Sequence, residues 1–188
     1  MKKLAIFGSG AGSNAENICV YFNKSSDIKL VMMCTNRKDA FIVERAKKLK
    51  IPMVFTSKTE LENFDDLAKI LVKYQVDYII LAGFLLKMPK NITSFFQNKI
   101  INIHPAILPF YGGKGMYGLK IHQAVIKNKE KTSGLTIHYV NEKYDEGKII
   151  FQKTIEIDKK ETALSLSKKI LREEHLNYPI EIEKLLTK

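Results

Sequence analysis

The sequence has no tryptophan, only two cysteines and only five prolines among 188 residues. It also lacks any apolar run near the roughly 18 residues that a membrane-spanning helix needs. Lys2-Lys3 is followed only by Leu4-Ala5-Ile6-Phe7 before glycine appears, which is too short for the apolar region of a secretion signal. Scarce cysteine excludes a disulfide scaffold. Cys19 and Cys34 lie in apolar contexts, as expected of reduced, buried thiols in a cytoplasmic protein. Neither belongs to a Cys-x-x-Cys pair, and His104, His122, His138 and His175 lack the close spacing of a metal site, so no metal is expected. Repeats, low-complexity segments and linkers are absent too, which favours one domain over residues 1–188.

Acidic residues are the scarcer charge: 20 against 31 lysines and arginines, for a net charge of +11. The basic residues are scattered as Lys47-Lys48-Lys50, Lys127-Lys129-Lys131, Lys159-Lys160 and Lys168-Lys169, interleaved with acids. No run of five occurs, and no aromatic–basic ladder of the kind that stacks bases. Solvated faces with modest steering of an anionic substrate are expected, with no nucleic-acid or membrane partner. A hydrophobic content of 45% is enough to build a core.

Apolar strand patterns appear at Lys3–Phe7, Ile28–Cys34, Met53–Phe55, Asp77–Ala82 and Ile100–Ile103. Helical periodicity separates them at 15–22, 40–49, 61–74 and 89–96. This β-α-β-α order calls for an α/β, Rossmann-like fold, a mostly parallel sheet with helices on both faces. The pattern then changes. A helix is expected over 118–127, then an antiparallel pair at Gly134–Val140 and Lys148–Ile157 around a polar turn. A last helix begins near Glu161 and runs to about Asn177, where Pro179 interrupts it. A further helical segment reaches the terminus.

Two stretches carry chemistry. "FGSGAGSN" (residues 7–14) follows the first strand and opens a helix. Free backbone N–H groups and the positive end of the helix dipole suit a phosphate there. The glycines fall at 8, 10 and 12, Ser13 stands where a dinucleotide fingerprint wants its third glycine, and the second strand ends in Thr35-Asn36-Arg37 with no acid for a ribose diol. A single phosphate therefore fits better than a dinucleotide. No Gly-Lys-Ser/Thr of a triphosphate loop is present.

"NKIINIHPAILPFYGG" (residues 98–113) ends an apolar strand in Asn102-Ile103-His104. Period-2 alternation puts Asn102 and His104 on one face, and Pro105 and Pro109 stiffen the exit. In open parallel sheets ligands bind beyond the carboxyl ends of the strands. An imidazole there suits proton transfer near neutral pH, and an amide N–H suits an oxygen that gains negative charge. A carboxylate would complete the set. Asp145, Glu146 and Asp77 are all candidates, and spacing does not choose among them. No serine or cysteine nucleophile stands out, so direct transfer fits better than a covalent intermediate.

With "LAGFLLKM" before it and "TIHYVNEKYDEGKIIFQ" after it, "INIHPAILP" resembles the folate-dependent formyltransferases. "IFGSGAGSN" and "LREEHLNYP" extend the resemblance from about Lys3 to Pro179. It implies the formyltransferase fold and formyl transfer from 10-formyltetrahydrofolate to the amine of glycinamide ribonucleotide, in purine synthesis. It implies catalytic roles for Asn102, His104 and Asp145. The phosphate would lie on Gly12, Ser13 and Asn14, adjoined by Ala15 and Glu16. Glu174 would meet the rest of that substrate, with Leu171, Arg172 and Glu173 nearby. The pterin would sit among Leu85, Leu86, Lys87, Met88 and Asn102, beside Asn141, Glu142, Lys143, Tyr144 and Asp145.

Two departures stand out. Where many relatives have a Pro-Gly loop, this chain has "FYGGKGMYGLKIH" (residues 110–122). Gly112–Gly115 is expected to be a mobile cover over the folate, with Lys114 near an acidic ligand tail. Relatives also often carry a folate-proximal arginine after the third strand, and Lys58 is the nearest substitute. A tRNA-directed member of the family has an extra carboxyl-terminal domain, and a formyltetrahydrofolate hydrolase an extra amino-terminal one. The chain's length disfavours both. A non-catalytic binder of RNA or a phosphometabolite remains the rival from another class, and whether the protein is a monomer or a homodimer is open.

Overall fold

A computed structural model describes residues 1–187. The sheet has seven strands: β1 (Lys2–Phe7), β2 (Ile28–Thr35), β3 (Met53–Phe55), β4 (Tyr78–Leu81), β5 (Ile100–His104), β6 (Thr132–Tyr139) and β7 (Ile149–Glu156), in the order β3-β2-β1-β4-β5-β6-β7. The first five run parallel, while β6 pairs antiparallel with both β5 and β7.

Strand alternation divides the core in two. Leu4, Ile6, Ile80, Ile101 and Ile103 face one side, packed with α1 (Ser13–Tyr21), α2 (Ile42–Lys48) and α7 (Ala163–Leu186). Ala5, Phe7, Ile79, Leu81 and Ile100 face the other, against residues of α3 (Lys58–Asn63), α4 (Asp65–Lys73) and α5 (Lys90–Phe95). In β2 the parity flips. Leu30 joins the first cluster, but so does Met33, because the β1–β2 register skips a residue between the pairs Leu4–Leu30 and Ala5–Met32. An extra residue in one strand swaps every later side chain to the opposite face.

Two expectations about the helices are corrected. The stretch 61–74 is not one helix: α3 and α4 meet at Phe64, whose φ is 64°. A left-handed phenylalanine costs ~1–2 kcal/mol. Burial of its ring against Phe95, edge-on at 5.6 Å, offsets that cost, since fully burying such a ring contributes ~2–3 kcal/mol. Nor does Pro179 interrupt the last helix, because α7 continues through it to Leu186. Proline has no N–H for the carbonyl four residues earlier, that of His175. The Asn17 side chain on α1 donates to that carbonyl instead, at 2.7 Å. The repair comes from a different helix, so no local pattern announces it. The α6 helix (Leu119–Lys127) closes the set.

Candidate active site

The parallel strands reverse their order of addition between β1 and β4, and loops from both strands part there. Ser9 ties that crevice together. Its N–H donates to the Gly83 carbonyl at 3.0 Å, and its Oγ accepts from Leu85 N–H at 2.9 Å. Gly12 caps α1 at φ 73° with the Ile42 side chain 2.7 Å from where a Cβ would stand. No other residue fits, so the glycine-rich turn is also a packing requirement. A cavity of about 620 Å³ opens at this crevice.

The cavity brings the two chemical stretches together. Gly12, Ser13 and Asn14 line it with Asn102, His104, Tyr144, Asp145, Leu85, Leu171 and Glu174. The other expected residues do not line it. Ala15 and Met88 are core. Glu16 is paired with Arg45, and Glu173 with Lys153 at 2.6 Å. Leu86 packs on the second core cluster. Lys87, Asn141, Glu142 and Lys143 are exposed, and Arg172 lies outside the lining. Lys58 is not at the cavity either, being 3.7 Å from Glu62.

His104 is held from two directions. Its Nε2 lies 2.9 Å from the Tyr111 carbonyl. A carbonyl only accepts, so Nε2 carries the proton in the neutral ring and the lone pair is at Nδ1. Nδ1 stands 3.6 Å from Asp145 Oδ2, just beyond hydrogen-bond length. Asp145 itself accepts from the Gly113 N–H at 2.9 Å. Among the carboxylates left open by spacing, it is Asp145 that reaches His104.

His138 is a residue the sequence reading missed. It stands opposite Asn102 across the β5–β6 pair, and Asn102 Nδ2 lies 3.1 Å from its Nε2. His138 Nδ1, 2.8 Å from the Tyr139 carbonyl, is the protonated nitrogen, so Nε2 accepts from Asn102. Burial lowers the pKa of His138, against the Tyr139 hydrogen bond and Asp145, which raise it. The ring thus stays neutral and keeps its acceptor. One Asn102 N–H is spent on His138, which leaves the second to face a ligand oxygen. The signal in the sequence was the alternation of Thr136 and His138 in "TIHYV". Nothing in it named the partner strand.

Thr136, the next pair along and opposite His104, fastens the strand exit. Its Oγ1 donates to the Ala106 carbonyl at 2.7 Å and accepts from the Leu108 N–H at 3.1 Å. At the far wall Asn14 Nδ2 donates to Glu174 Oε2 at 2.7 Å. Burial pushes the Glu174 carboxyl up to about 7, with the Asn14 bond opposing. Asn14 Oδ1 is buried without a hydrogen-bond partner. Behind His104, burial, with His104 adding to it, holds His122 down to about 4. Among the described residues, no group of three or more His, Cys, Asp or Glu side chains is placed to hold a metal ion.

An amide donor, an imidazole with a carboxylate beside it, and a helix N-terminus thus converge on one cavity, a set suited to proton transfer beside an anionic group. The chain belongs to the formyl transferase family, whose pattern spans residues 2–182. It is 41% identical over 185 residues to the chloroplastic phosphoribosylglycinamide formyltransferase of Arabidopsis thaliana, covering 94% of this chain and 63% of that one. The Bacillus subtilis phosphoribosylglycinamide formyltransferase is 34% identical over 191 residues, covering 99% of this chain and 95% of the relative. The crystal structure of the Bacillus Halodurans enzyme of that name superposes with a TM-score of 0.88 at 32% identity, covering 100% and 96% of the two chains. Against plant relatives, then, the chain spans just over three-fifths of their length; against the bacterial one it spans nearly all.

Proposed function

We propose that the protein transfers the formyl group of 10-formyltetrahydrofolate to the amine of 5′-phosphoribosylglycinamide, in purine synthesis in the cytoplasm, with residues 1–188 forming one catalytic domain. The observation that carries this is the convergence of Asn102, His104 and Asp145 with the α1 N-terminus on a single cavity. The names of full-length bacterial relatives support the choice of substrate.

The substrate amine attacks the formyl carbon, and the carbonyl oxygen becomes an oxyanion. The Asn102 N–H not bound to His138 donates to it. The proton leaving the attacking nitrogen passes to His104 Nδ1, and the imidazolium is stabilised by Asp145 and by the Tyr111 carbonyl on Nε2. The same proton then goes to the departing folate nitrogen as the carbon–nitrogen bond breaks. Protons balance over the cycle, and His104 returns neutral. The phosphate lies on the backbone N–H groups of Gly12, Ser13 and Asn14, where the helix dipole favours it. Glu174 meets the ribose or glycinamide part, and the folate occupies the side bordered by Leu85 and Tyr144.

The test is a formyl-transfer assay with glycinamide ribonucleotide and 10-formyltetrahydrofolate, run beside formate plus ATP. Formylated product from the folate supports the proposal, with His104→Ala abolishing it. A folded protein that forms no product from the folate refutes it.

A further inference from the structure

Lys114 stands in the loop of residues 110–122. It lines the cavity, and among the described residues it is the only lysine or arginine that does. The two acidic side chains of that lining are Asp145 and Glu174. Both proposed substrates are anions. A helix N-terminus offers about half a positive charge, whereas a phosphate monoester carries roughly −1.5 to −2 near neutral pH. Asp145 in the same wall adds to the deficit, and Glu174 adds to it to the extent that it is ionised. Arg45, which reaches the glycine-rich loop through a 2.8 Å hydrogen bond to the Ala11 carbonyl, is committed to Glu16. Among the described residues Lys114 forms no ion pair, and it is exposed.

We infer that Lys114 is the cation that receives an anionic group of a substrate in this cavity, a phosphate or a carboxylate; the inference rests on the function proposed above. The backbone serves that purpose. Lys114 stands between Gly113 at φ 93° and Gly115 at φ 89°, and no atom lies within 4 Å of a Cβ built at either. Glycine is therefore needed there for conformation and not for lack of room. The loop is also anchored to the chemistry on the amino-terminal side of Lys114. The Tyr111 carbonyl accepts from His104, and Gly113 donates to Asp145. An anion drawn to Lys114 is thus held by a segment whose preceding residues contact both groups of the proton relay. Lys114 itself touches neither, so its loss weakens binding of one substrate and spares the relay.

The experiment compares wild type, Lys114→Met and Lys114→Arg in steady-state formyl transfer, with each substrate varied in turn and repeated at higher salt. Lys114→Met is expected to raise one KM by ~5- to 10-fold, the scale of a charge-assisted contact at a partly solvated site. Its kcat stays within about twofold, and Lys114→Arg restores most of the affinity because the charge is kept. That KM should also lose part of its salt dependence. A raised KM for glycinamide ribonucleotide identifies the phosphate, and a raised KM for 10-formyltetrahydrofolate identifies its carboxylates. Both KM values unchanged within about twofold, in an enzyme that transfers formyl, overturn this inference and leave the proposed function standing. A folded wild type that transfers nothing overturns the proposed function and this inference with it.

Discussion

Asn102 Nδ2 lies 3.1 Å from His138 Nε2, across the β5–β6 pair, although the two residues are 36 positions apart in the chain. The contact fixes which end of the Asn102 amide faces the cavity. Were the amide reversed, its oxygen would meet the ring's lone pair, and in the proposed transfer a carbonyl would confront the developing oxyanion.

His138→Leu should therefore lower kcat more than it raises either KM, because the amide loses its orientation. A fall of ~10-fold or more is expected, within the ~100- to 1,000-fold that loss of the oxyanion donor itself costs. Asn102→Ala should reach that larger figure. Transfer kinetics on both variants, with thermal melts to verify folding, check this. Equal activity of His138→Leu and wild type would show that the amide needs no such partner.

His104→Asn should abolish the proton relay while keeping a polar side chain in place. Turnover should fall by ~100-fold or more, the range of a positioned acid–base group. Asp145→Asn should fall less, since it removes the charge that stabilises the imidazolium but leaves the imidazole. Steady-state transfer kinetics on both variants, with thermal melts to verify folding, check this order, and an Asp145→Asn enzyme as active as wild type would show that the carboxylate is not needed.

Glu174 and His122 impose opposite pH dependences on stability. A carboxyl raised to about 7 from 4.5 binds more protons folded than unfolded between those values. Its charge thus costs stability as pH rises through that interval, by ~3 kcal/mol in full. An imidazole lowered to about 4 from 6.5 is neutral when folded but protonated when unfolded in its interval, so it costs stability as pH falls, by a similar ~3 kcal/mol. His138 and His175, also lowered by burial, act in the same sense as His122. Glu174→Gln should raise the melting temperature at pH 8, and the gain should vanish near pH 4.5. Thermal melts across pH 4–8 check this, with His122→Gln expected to gain at the acid end.

Asn17→Ala should destabilise the fold by ~1 kcal/mol through the unpaired His175 carbonyl, more if that carbonyl stays buried. In a Pro179→Ala background the same change should cost less, because the introduced alanine supplies the helical N–H that proline lacks. A double-mutant cycle by chemical denaturation measures the coupling, and a cycle with no coupling would separate the two residues.

Strand identity, the parallel order and the shared face of Asn102 and His104 were legible in the chain, because each rests on a local period of two or on a glycine needed where a strand turns into a helix. The break at Phe64 and the continuity of α7 through Pro179 were not. One depends on a distant aromatic that rewards a left-handed residue, the other on an asparagine from another helix. The carboxylate was undecided among Asp145, Glu146 and Asp77 for the same reason. Spacing along a chain says nothing about which loop folds back over His104.

The amino-acid sequence by itself therefore determined the sheet, the glycine-rich turn into α1 and the two residues at the end of β5, all consequences of periodicity and backbone chemistry within a few residues. Only the tertiary structure decided that His138 orients Asn102, that Asp145 stands beside His104, and that Asn14 meets Glu174 from 160 residues away. Those contacts join elements whose relative placement is set by burying two apolar faces of one sheet, and no local pattern records the outcome of that packing.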